Sequence, residues 1–71
     1  MALSFAEYDR LERAISDRTR IALYHSGREY LVIPEALRME KGREVITMRH
    51  PSTGHRMELF VDELDAVEPV A

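Results

Sequence analysis

A capped amphipathic helix, followed by short strand-like runs and glycine-marked turns to the end of the sequence, is the pattern that most limits what this 71-residue chain can fold into. Ser4 and Glu7 have the spacing of a capping box, in which hydroxyl and carboxylate each satisfy an orphan amide. Phe5, Tyr8, Leu11 and Ile15 then recur on one helical face. Glu7, Asp9, Arg10, Glu12, Arg13 and Asp17 occupy the rest. From Arg20 onward the pattern is strand and turn. The sequence therefore predicts a mainly β fold: a helix over 4–18 lidding a small barrel of about five strands over 20–68. With 71 residues there is one domain and one core.

The first expected hairpin joins Arg20–His25 to Arg28–Ile33 through Ser26-Gly27, a two-residue turn in which glycine supplies positive φ. That turn sets Leu23 against Tyr30 and Ile21 against Val32. Tyr24, Ala22, Leu31 and Ile33 take the other face. Both faces are apolar, so one is expected to line the barrel and the other to receive the helix stripe. Pro34 is expected to end the strand, and residues 35–40 to form a short edge strand with Ala36, Leu37 and Met39 as its apolar members. After a turn at Lys41-Gly42 the pattern predicts a strand over 43–50, a loop over 51–54 and a strand over 55–61. A single helical turn capped by Asp62 follows, then a terminal strand at Ala66–Glu68 that closes the barrel. The last three or four residues read as a frayed tail.

The four-residue loop from Pro51 to Gly54 fixes a register. His50 pairs with His55, Arg49 with Arg56, Met48 with Met57, Thr47 with Glu58, Ile46 with Leu59 and Val45 with Phe60. Met48, Met57, Ile46 and Leu59 form the core face. Val45 and Phe60 form an apolar pair on the opposite face and a candidate self-association surface, to be shielded by the helix if not by a second copy. Arg49, Arg56, His50 and His55 gather four basic groups at the hairpin end, a candidate site for a phosphate or a nucleic-acid backbone. Arg43 and Tyr24 are secondary candidates. Two cross-strand histidines have no third ligand nearby, so surface histidines are preferred over a metal site.

Composition narrows the classes further. The net charge of −3 argues against a surface that grips nucleic acid everywhere. Yet seven of the ten Lys and Arg residues and all three histidines lie between Arg20 and Arg56, while five acids and no base follow Arg56. Solubilising surface charge accounts for that distribution better than a local basic patch does. No cysteine is present, which removes disulfides and thiolate metal sites and fits a reducing cytoplasm. No signal-peptide pattern opens the chain, and no apolar run reaches the roughly 20 residues of a membrane span. None of the four serines sits in a nucleophile elbow, and the three glycines read as turns rather than a phosphate loop. The chain reads as a non-enzyme without a cofactor.

Leu11 with Ala14-Ile15, Ile21 and Tyr24, Pro34 after an apolar strand, Gly42, and then Leu59, Val61, Asp62, Leu64 and Val67 follow a recognisable order. In these positions, from about Leu11 to Val67, the chain resembles the WYL domain, an Sm/SH3-like small barrel behind a short helix in bacterial transcriptional regulators. The departures fall at the family's functional positions. Glu44-Val45-Ile46 stands where the Trp-Tyr-Leu triplet would be, and Tyr30, Glu63 and Met57 replace basic residues. The resemblance implies a non-catalytic module that senses a nucleotide, nucleic acid or similar anionic ligand. The other class left open is a protein-interaction or structural module acting through an oligomeric barrel face, with no small ligand.

Overall fold

The computed structural model describes residues 3–70. It is mainly β, with one N-terminal helix, α1 (Phe5–Asp17), and five strands. The strands are β1 (Ile21–His25), β2 (Arg28–Glu40), β3 (Arg43–Arg49), β4 (Arg56–Phe60) and β5 (Ala66–Pro69), with a 3-10 turn, Val61–Glu63, before the last. They form one antiparallel sheet in the order β4-β3-β2-β1-β5.

The capping box is present in both directions: Ser4 N–H donates to Glu7 Oε1, and Glu7 N–H donates to Ser4 Oγ, each at 3.1 Å. Leu11 and Ala14 are buried, and Tyr8 and Ile15 pack against the core. Phe5, expected in the same stripe, is instead 90% exposed. It is the first residue inside the cap, and its packing role passes to Leu3 on the other side of Ser4. Leu3 and Tyr8 line one cleft and both rest on the core, the arrangement of a hydrophobic staple. Tyr8 also donates its hydroxyl to the Glu44 carboxylate on β3, a bond that pushes the phenol pKa up to about 12.

The Ser26-Gly27 turn has φ of 51° and 77°, and the register it sets pairs Ile21 with Val32 and Leu23 with Tyr30, as the sequence predicts. Pro34 does not end the second strand. β2 continues to Glu40, pairing with β1 through Val32 and with β3 from Ile33 onward. A bulge between Pro34 and Ala36 leaves Glu35 unpaired. Tyr30, Val32 and Pro34 face the core before that slip and Leu37 after it, a one-residue change of phase. Residues 35–40 pair with β3 on one side and, since β1 reaches no further than Val32, with no strand among the described residues on the other. That is the edge expected of them, but as the second half of one long strand rather than a separate short one.

The two faces of the first hairpin are not used as expected. Helix, hairpin and second hairpin share one core on one face, where Leu11, Leu23, Ile46, Leu64 and Val67 are each fully buried. On the other face Ala22 is buried but Leu31 remains 45% exposed.

The sheet does not close into a barrel: β4 and β5 are its two ends and do not pair. The reason lies in α1. Glu7 Oε2 accepts the Val67 N–H at 3.1 Å, and Arg10 Nη1 donates to the Val67 carbonyl at 2.6 Å. Those two groups point away from β1, where a closing strand would meet them. Pro69, two residues on, turns its nitrogen the same way and has no N–H to offer. The helix thus occupies the outer edge of β5. The 3-10 turn is also built differently from expectation. Phe60 is its cap residue, without a side-chain bond, and Asp62 pairs with Arg43 instead. β5 includes Pro69, within the stretch expected to fray; Ala71 lies outside the described residues, as do Met1 and Ala2.

Candidate functional site

The hairpin end of β3 and β4 has the predicted register: Arg49 pairs with Arg56, and His50 N–H donates to the His55 carbonyl at 2.8 Å. Arg49, His50, His55 and Arg56 are therefore brought together. Arg43 lies at the far end of β3 and Tyr24 on β1, so neither joins them.

Directly opposed arginines on a sheet repel. Here Glu35, the bulged residue of β2, answers both: its carboxylate lies 3.4 Å from Arg49 Nε and 3.8 Å from Arg56 Nε. The repulsion is thus relieved from within the chain. The contact to Arg49 is an ion pair but not a hydrogen bond, and its buried Nε–H has no acceptor among the described residues. The imidazole of His50 is committed to the loop, with Nδ1 accepting from the amides of Ser52 and Thr53 at 3.1 and 3.3 Å. That assigns its proton to Nε2. Beneath this end lies an open cleft of about 480 Å³ lined by Glu29, Tyr30, Leu31, Val32, His50 and Met57.

The secondary candidates are occupied too. Arg43 donates to both Asp62 oxygens at 3.0 and 2.7 Å and to Glu63 at 3.3 Å, and its guanidinium lies 3.6 Å over the Phe60 ring. These bonds hold its pKa above the ordinary arginine value and that of Asp62 below the ordinary carboxylate range. Tyr24 donates its hydroxyl to Glu29 at 2.7 Å, which raises its pKa.

Val45 and Phe60 are not the exposed pair the sequence suggests. Val45 is 4% exposed and Phe60 is half-buried under Arg43 rather than under the helix. With Leu59, Glu58 and Glu40 they line a cleft of about 220 Å³ running beside β4.

β4 itself carries the feature that composition conceals. Since His50 and His55 form a hydrogen-bonded pair, so do Met48 with Met57 and Ile46 with Leu59. Arg56, Glu58 and Phe60 accordingly turn their backbone N–H and C=O away from β3, and β4 has no strand beyond it. β5 has its edge occupied by α1; β4 does not. Alternation together with the His50–His55 loop would have identified these outward groups, whereas nothing local in the sequence marks Glu7 and Arg10 as partners of Val67.

Among the described residues no helix is long and apolar enough to cross a membrane, and no three His, Cys, Asp or Glu side chains are grouped to hold a metal ion. Comparison with protein-family models, with curated proteins and with solved structures finds no match.

Proposed function

We propose that this chain is a non-catalytic interaction module that takes an extended polypeptide strand on the free edge of β4. One observation carries this reading: among the described residues, β5 has the outward groups of Val67 bonded to α1 whereas the outward backbone groups of β4 have no bonded neighbour, and a cleft lined by Val45, Leu59, Phe60 and two glutamates runs beside it. Strand addition draws affinity from main-chain hydrogen bonds and selectivity from pockets for alternate side chains. Arg56, Glu58 and Phe60 offer the first, and the Val45, Leu59 and Phe60 cleft the second. Titrating the isotope-labelled protein with an extended peptide of alternating valine and threonine tests it. The amides of Arg56, Glu58 and Phe60 should shift and those of β5 should not. Shifts confined to β5 or α1, or none, would overturn the reading.

A second reading is the WYL-like one, a small-barrel module that senses a nucleotide or a nucleic-acid strand at the β3–β4 hairpin end. The orphan Nε–H of Arg49, next to Arg56, favours it, since an anion would supply the missing acceptor. Internal pairing of Arg49 and Arg56 with Glu35 weighs against it. A short oligonucleotide that shifts Arg49, His50, His55 and Arg56, with the effect abolished in Arg49→Ala/Arg56→Ala, would establish this reading instead.

A further inference from the structure

From the geometry of the sheet we infer a specific occupant for the β4 edge: β4 of a second copy of this chain, running antiparallel about a twofold axis at Met57. The inference rests on the strand-addition reading above and adds partner and register to it.

The helix first limits the symmetry. Head-to-tail pairing of β4 on one copy with β5 on the next would build a ring or filament. Val67 already has both backbone groups bonded to Glu7 and Arg10, and Pro69 offers no donor on that side. Between the two end strands that leaves β4 on β4, an isologous pairing that closes as a dimer.

Charge then selects the register. In antiparallel self-pairing the axis passes through one residue, which meets its own copy. An axis at Arg56 opposes two arginines, and one at Glu58 opposes two carboxylates. Within β4 (Arg56–Phe60) an axis at Leu59 overlaps residues 58–60 and sets Glu58 against Phe60, with no charge pair gained; an axis at Met57 overlaps the same length, residues 56–58. An axis at Met57 sets Arg56 against Glu58 of the second copy, twice over. Both are residues whose backbone groups point outward, so opposite charges sit directly above bonded pairs. The Arg56 side chain is 82% exposed and its contact to Glu35 is long, leaving it available to a second carboxylate. Glu58, whose two oxygens accept from Arg38 of its own chain at 3.1 and 3.2 Å, would be shared between that arginine and Arg56 of the second copy. The half-buried Met57 meets its counterpart on the core side of the joined sheet.

A strand contact over residues 56–58 is much smaller than the roughly 1,600 Å² of a standard interface. The dimer should therefore dissociate on dilution.

Sedimentation velocity of the full chain across a dilution series provides the test. Wild type is expected to pass from dimer to monomer as it is diluted. Arg56→Glu and Glu58→Arg should each remain monomeric at concentrations where wild type is dimeric, and the double swap Arg56→Glu/Glu58→Arg should recover the dimer. Glu58→Pro removes an outward N–H without touching the β3 ladder, so it should keep the wild-type circular dichroism spectrum and lose the dimer. Wild type monomeric throughout, a folded double swap that stays monomeric, or a Glu58→Pro chain that fails to fold would each overturn the inference. A monomer that still binds the valine-threonine peptide would remove this dimer and leave strand addition standing.

Discussion

Glu7 and Val67 lie sixty positions apart, yet the carboxylate of one accepts the backbone N–H of the other at 3.1 Å. The same carboxylate accepts the Ser4 N–H, so one side chain caps a helix and finishes a sheet edge. This double use explains why α1 is fixed over β5 and why the sheet stays open. It also leaves β4 as the strand on which a partner can extend the sheet.

The first prediction follows from the charge on Glu7. Hydrogen bonds from the Ser4 and then the Val67 amide hold its pKa below the ordinary 4.5. A depressed folded-state pKa contributes stability above the unfolded-state value and loses it as pH falls through the folded one. Glu7→Gln should therefore be less stable than wild type at neutral pH, and the two denaturation midpoints should converge as pH drops below about 4.5. A constant gap between them would show that the charge does not matter.

The helix stripe gives a contrasting pair. Leu11 is fully buried, and Leu11→Ala should cost about 2–4 kcal/mol, enough to unfold much of so small a domain. Phe5 is nearly all in solvent, and Phe5→Ala should stay within about 0.5 kcal/mol of wild type. Urea denaturation of both variants checks the assignment, and a large loss for Phe5→Ala would mean that the first turn packs differently.

Glu35 offers the third prediction. Its side chain is 26% exposed between two arginines that are 42% and 82% exposed, so solvent screening keeps the net effect small. Glu35→Ala should lower stability by about 1 kcal/mol or less at low ionic strength, and added salt should narrow the deficit as it screens the opposed guanidiniums. A deficit insensitive to salt would assign the effect to the bulge itself rather than to charge.

Much of this architecture was legible in the residues, and the exceptions share a cause. The capping box, the Ser26-Gly27 hairpin and the complete β3–β4 register follow from local chemistry, where spacing and turn length decide the outcome. Pro34 misled because its missing N–H reads as a strand end, whereas the chain absorbs it beside a bulge and continues. Closure of the barrel misled because Glu7, Arg10 and Val67 meet only in three dimensions. The candidate site was legible in the same measure: turn length brought Arg49, His50, His55 and Arg56 together, but the acid between the arginines came from another strand. Val45 and Phe60 were placed on the correct face without any local sign that Arg43, held by Asp62, would cover the ring.

Residue-resolved amide hydrogen exchange of the dilute monomer tests the central claim most directly, because it compares the two ends of the sheet in one measurement. The Val67 amide, bonded to Glu7, should be protected, and the outward amides of Glu58 and Phe60 should exchange at rates close to those of an unstructured chain. Glu7→Ala should bring Val67 to the same fast exchange. Protection of Glu58 and Phe60 equal to that of Val67 in the monomer, or fast exchange at Val67 in wild type, would contradict a sheet with one edge held by the helix and one left open.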